Sequence, residues 1–290
     1  MKKQLLKSVV LLLAIFLTTN IASANTPIKK GILLVSFGSS YPETRVSFDN
    51  IEKDVKKAFP NVEIRWAYTS KIIRTKLRTR GENINSPAMA LAQMAEDGFT
   101  HIAVQSLHII PGLEYNNLKN TVKEFNLIPK SLKRITIGTP LLYKHKDNEK
   151  VAKAIKNIFA SKLSQKDAFV FMGHGTEHIS NIYYPGFEYY LKKESPKFVL
   201  GTVEGYPTLQ NTINELKKMK AKTVYLTPLM SVAGDHARND MAGNESKSWK
   251  TILEKNHFKV KSILVGLGEY DNIVDIWIEH LKIAFNELNK

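Results

Sequence analysis

Residues 31–40 read GILLVSFGSS, and residues 168–177 read AFVFMGHGTE. Each is a short, continuously apolar run rich in β-branched or bulky residues, and each ends in a glycine-containing polar turn. A run of this length without polar alternation predicts a strand buried on both faces. Its appearance twice predicts a duplicated unit. With Gly38 set against Gly173, Ser39 aligns with His174. A second echo joins HIAVQSLHIIPGLEY (101–115) to TVYLTPLMSVAGDH (223–236), where Gly112 matches Gly234 and Glu114 matches His236.

Outward from these runs the chain alternates. Strands are predicted at 31–37, 62–69, 101–110 and 134–138, with helices at 43–59, 86–97 and 114–125; Ser86-Pro87 supplies an N-cap followed by proline at the first helical position. The rhythm restarts with a helix at 147–163, strands at 168–172, 197–202, 223–228 and 260–266, and helices at 207–220 and 270–288. This pattern implies an α/β fold of two similar Rossmann-like or flavodoxin-like lobes, parallel sheets flanked by helices, with the active site in the interlobe cleft. The expected division is a leader at 1–24, an N-terminal lobe at 25–142 and a C-terminal lobe at 143–290. The last helix, 270–290, is free to pack back on the first lobe.

The leader is read from Lys2, Lys3 and Lys7, an apolar stretch at 9–17 and Ala22-Ser23-Ala24. These are the parts of a cleavable signal peptide cut after Ala24, so the mature chain is expected to be exported to the periplasm, without a membrane span. There is no cysteine, so neither disulfides nor thiolate ligands are available. The formal charge is +15, or +12 without the three leader lysines. No nucleic-acid-binding motif accompanies it, and a polyanionic small molecule or a membrane surface is the better partner.

His174-Gly175-Thr176-Glu177-His178 spells H-x-x-E-H. The zinc-peptidase use of that motif needs both histidines on one helical face. Glycines on either side of His174, directly after a buried strand, predict a tight turn there instead. His174, Glu204 and His236 each fall at or just beyond a predicted strand end. Singly, each has an ordinary structural reading, such as a satisfied histidine or a helix cap. Together they form an open N/N/O ligand set for a divalent metal.

Five segments then carry a resemblance: LLVSFGSSYPETR (33–45), QSLHIIPGLEYNNL (105–118), MGHGTEH (172–178), GTVEGYP (201–207) and PLMSVAGDHARNDMAG (228–243). The chain resembles the anaerobic cobalt chelatases of the CbiK type, within the class II chelatases that include ferrochelatase. The resemblance implies nucleotide-independent insertion of Co2+, with Fe2+ or Ni2+ as alternatives, into the anionic tetrapyrrole sirohydrochlorin. It places the metal on His174, Glu204 and His236. His174 and His236 are the alternative candidates for proton acceptor, and Glu114 is a candidate shuttle or a helix cap. Ser39, Arg45, Tyr115, Tyr183 and Arg238 are the candidate substrate contacts, with Lys71, Arg74, Tyr184 and Phe187 beside them; His108 and His178 stand behind. The leader departs from the cytoplasmic biosynthetic form. Two other readings stay open here: an exported tetrapyrrole or metal carrier without turnover, and haem or iron handling. A homo-oligomer is also left open.

Overall fold

The computed structural model describes residues 27–128 and 132–290. The expected leader and its cut after Ala24 lie outside the described residues. Two four-stranded sheets form, each fully parallel. The first has the order β2-β1-β3-β4, from β1 (Lys30–Ser36), β2 (Glu63–Tyr68), β3 (His101–Ser106) and β4 (Arg134–Gly138). The second repeats it as β6-β5-β7-β8, from β5 (Asp167–Gly173), β6 (Phe198–Thr202), β7 (Thr223–Pro228) and β8 (Lys259–Ser262).

The helices are α1 (Arg45–Ala58), α2 (Lys71–Arg78), α3 (Pro87–Glu96), α4 (Leu113–Phe125), α5 (His145–Phe159), α6 (Tyr183–Glu194), α7 (Leu209–Lys218), α8 (Trp249–Lys255) and α9 (Asp271–Glu287). Alternation along each central strand decides which layer a residue joins. Ile32 and Leu34 of β1 share one core with Phe169 and Phe171 of β5, and α1, α5, α6 and α9 fill it. Leu33 and Val35 face the opposite way, onto α3 and α4. Val170 and Met172 face α7 and α8. The lobes are therefore fused through a common middle layer. Each fully buried phenylalanine there contributes about 1.5–3 kcal/mol by burial.

The last helix leaves the second sheet and packs on β3, β4 and α1 of the first. Trp277, 1% exposed, is its largest buried side chain. A buried pair fastens this return. His280 Nδ1 meets Thr139 O at 3.1 Å, and its Nε2 lies 3.2 Å from Asp147 at the start of α5. No helix among the described residues is long and apolar enough to cross a membrane.

The duplication holds, but its register at the first echo does not. By strand length and pairing, Ser36 of β1 matches Gly173 of β5, and the glycine of positive φ two residues on is Gly38 (97°) in one lobe and Gly175 (79°) in the other. His174 therefore corresponds to Phe37, not to Ser39. The second echo keeps its register, because β3 and β7 begin at His101 and Thr223. Following the pairing of β2 and β6 in the same way, Glu204 corresponds to Ser70. The N-terminal counterparts of His174, Glu204 and His236 are thus Phe37, Ser70 and Glu114.

Candidate metal centre and interlobe cleft

Three strand ends bring the ligand set together. His174 follows β5, Glu204 follows β6, and His236 lies on the loop after β7. The parallel ladder runs on past β5 and β6: Val203 N donates to Gly173 O at 3.0 Å, and Glu204 N to His174 O at 2.8 Å. On the other side Leu229 N donates to Met172 O at 2.8 Å. The ligands thus inherit their spacing from the sheet rather than from a loose loop.

Donor atoms of His174, Glu204 and His236 lie within 4.8 Å of one another. The two imidazoles meet edge to face, with centroids 4.5 Å apart. His174 Nδ1 lies 2.8 Å from Gly175 O; a carbonyl only accepts, so Nδ1 carries the proton. His236 Nδ1 lies 2.6 Å from Asp240 Oδ2 and donates to that carboxylate. Nε2 of each ring is then the nitrogen open to a metal, and each ring is held in its orientation by the neighbour at Nδ1. Metal–ligand bonds of about 2.0–2.2 Å place donors closer than this, so small side-chain rotations close the set around one ion.

Asp240 fixes the ring that His236 presents. Replacing it with asparagine is expected to weaken Co2+ binding by about 10–100-fold while leaving the fold intact. Calorimetric titration of the metal alone checks this, and an unchanged affinity would show that Asp240 does not hold the ring.

Beneath the turn, burial pushes the Tyr184 phenol up to about 12, against the opposing pull of the backbone at Gly175 and His174. An added Cβ on Gly173 would strike that ring at 2.5 Å. The turn bearing His174 is therefore clamped from below.

The set opens onto a cleft between the lobes of about 1050 Å3. Ser39, Glu114, His174, Glu204 and His236 line it, as the sequence reading required of them. The N-terminal loop also crosses to the segment carrying His236. Tyr41 Oη donates to Asp235 Oδ1 at 2.7 Å, and Asn239 Nδ2 donates back to Tyr41 Oη at 3.3 Å. Asp235 spends its carboxylate on this clasp.

Other expected contacts are not in the cleft. Arg45 is exposed and pairs with Asp49 on its own helix at 3.1 Å. Tyr115 is buried and packs edge-on against Tyr143. Tyr183 packs against the shared core, and Phe187 is fully buried within it. Arg238 spends Nε on Ala233 O at 3.1 Å and lays its guanidinium over the Tyr41 ring, bracing the clasp instead of lining the cavity. Arg74 bonds the carbonyls of Tyr68 and Thr69, and Lys71 does not line the cleft. His178 caps the turn at Ile179–Ile182 through Ser180. His108 reaches the cleft wall, but burial lowers it to about 4, so it stays neutral at ordinary pH.

Sequence reasoning missed Phe37, Ile72, Ile73 and Lys76, all of which line the cavity. Their signal was the duplication itself, once its register is set by the positive-φ glycines. Nor does the cleft concentrate the basic charge of the chain. Its ionised lining is Glu114, Glu177, Glu204 and Asp235 against a single lysine, Lys76.

The cobalt chelatase (CbiK) family model matches residues 30–286. The chain belongs to that family. It is 38% identical over 261 residues to a sirohydrochlorin cobaltochelatase, CbiKC, of Nitratidesulfovibrio vulgaris, covering 90% of this chain and 92% of the relative. It is 37% identical over 260 residues to the sirohydrochlorin cobaltochelatase of Salmonella typhimurium, covering 89% and 97%. Among solved structures, the sirohydrochlorin chelatase SirB from Bacillus subtilis subspecies spizizenii in complex with cobalt superposes with a TM-score of 0.60 at 15% identity, over 89% of this chain and 97% of that one. That likeness shows the two-lobed chelatase fold.

Proposed function

We propose that this chain inserts Co2+ into sirohydrochlorin without a nucleotide. The observation that carries the reading is the His174–Glu204–His236 set facing a macrocycle-sized cleft, in a chain so similar to relatives named for this reaction. About 1050 Å3 is at the top of the usual range for small-ligand sites, which suits a flat, wide ring.

The reaction exchanges a divalent ion for two protons on the ring nitrogens. Two imidazoles and one carboxylate hold the arriving ion while leaving coordination positions for ring nitrogens. Without a thiolate in the set, the ion is not held too firmly to be passed on. Glu114, the counterpart of His236 on the other lobe, takes a proton leaving the ring. His174 and His236 accept protons once the ion has left them. Fe2+ and Ni2+ fit the same donors and are the competing cargoes. Export through the leader belongs to the same reading, and fractionation of cells making the tagged chain tests it.

Anaerobic mixing of sirohydrochlorin with Co2+, Fe2+ and Ni2+ in turn, followed by ring absorbance, tests the reaction. Many turnovers per chain, faster with Co2+ than the uncatalysed reaction, are expected. One equivalent bound without acceleration would make the protein a carrier.

A further inference from the structure

The cleft has two unlike walls. The C-terminal wall carries the metal set together with Glu177 and Asp235. The N-terminal wall carries Phe37, Ile72, Ile73, Ile110 and Leu113. Three of these apolar side chains are open to solvent: Ile72 at 70%, Leu113 at 55% and Phe37 at 45%. Large apolar groups gathered in one concavity and left uncovered mark a surface that an apolar ligand covers.

One charged group stands on that shelf. Lys76 lies one turn beyond the adjacent Ile72 and Ile73 on α2, four and three residues on, and residues so spaced share a helix face. The helix therefore turns two isoleucines and one ammonium toward the cavity. Neighbouring cations are already engaged. Arg74 holds the end of β2, and Arg80 Nη1 donates to Ser40 O at 2.5 Å. Lys76 accepts from Thr79 Oγ1 through its backbone carbonyl, while its ammonium makes no hydrogen bond or ion pair among the described residues, and no other described lysine or arginine lines the cleft. Against four lining carboxylates, it is the one group there that attracts an anion.

We propose that Lys76 docks a peripheral carboxylate of the tetrapyrrole and so orients the ring along the Phe37–Ile72–Leu113 shelf. This rests on the reading of the ligand as a polycarboxylate macrocycle. An apolar ring edged with carboxylates matches an apolar shelf edged with one ammonium, and the acidic wall repels the same carboxylates from the metal side. Lys76 thus decides which edge of the ring enters, while the metal set on the other lobe is untouched by it.

The test is a titration of metal-free sirohydrochlorin into the purified protein, read by ring absorbance, beside steady-state metalation with Co2+. Lys76→Gln is expected to raise Kd and KM about tenfold, the effect of losing one charge-assisted hydrogen bond, with kcat changed less than twofold. Lys76→Glu should weaken binding further, and Lys76→Arg should restore most of it. Lys255→Glu, an equal charge reversal on the exposed end of α8, should leave Kd unchanged. Affinity for Co2+ alone should match wild type in every variant. Binding of the ring by K76Q and K76E within twofold of wild type would overturn the proposal, as would an equal loss in K255E, which would mark bulk charge. A wild-type protein that binds the ring without turnover would end the chelatase reading alone, since the Lys76 titrations need no turnover.

Discussion

Replacing His236 with alanine is expected to weaken Co2+ binding by more than about 100-fold and to bring metalation down to the uncatalysed rate. Outer partners of metal-bound histidines are commonly worth about 10–100-fold, and a direct ligand is worth more. His174→Ala should act alike, because each ring supplies one of only three donors. Stability should move little. The His174 side chain is 42% exposed and the His236 side chain 30%, and partly exposed positions outside the core usually change stability by about 0.5 kcal/mol or less. Glu204→Gln separates charge from position, since the amide keeps an oxygen donor but not the anion. Calorimetry with Co2+ alone, anaerobic turnover and a urea melt on each variant make the check. Wild-type turnover in H174A or H236A would sink the site; a collapsed melt would instead show that the rings hold the fold.

The ligand set was legible in the sequence because strand ends are. β1 and β5 are buried on both faces and β7 nearly so, so their apolar runs stand out, and the rim they share follows from parallel topology. Helices with a broad buried stripe were legible too, as in α1 and α5. α2 was not: its stripe is Ile72, Ile73 and Leu77 within eight residues, with Leu77 alone buried, so KIIRTKLR is too short to stand out. α6 was hidden by Pro185 and Gly186. Pro185 sits in the first turn, where a missing N–H costs little, and Tyr184, Phe187 and Leu191 anchor the helix through tertiary burial. Losing α2 hid Lys76 and the apolar shelf. The charged candidates read from the sequence failed for a related reason. A surplus of cations says nothing about which face each occupies, and Arg45, Arg74 and Arg238 had partners of their own.

Gly175→Ala is expected to cost about 2–5 kcal/mol and to impair the metal site at the same time. Two penalties coincide there. The φ of 79° is left-handed, which costs a side-chain-bearing residue about 1–2 kcal/mol. An added Cβ would also lie 2.6 Å from the carbonyl carbon and oxygen of Glu204 and 2.8 Å from Thr202 Cβ. Backbone cannot swing aside as a long side chain can, so overpacking adds about 1–3 kcal/mol. The only relief is to push β6 and its loop away from β5, which carries Glu204 away from His174 and breaks the 2.8 Å bond between Glu204 N and His174 O. Stability and Co2+ affinity should therefore fall together. Gly186→Ala in α6 is the counter-case: nothing lies within 4 Å of its added Cβ, and alanine in a helix interior should gain about 0.5–1 kcal/mol without touching affinity. Urea midpoints and calorimetric Co2+ titrations on both variants separate the two effects. A G175A protein with wild-type midpoint and affinity would mean that the turn after β5 is free to rearrange, and that the sheet does not set the spacing of the ligands.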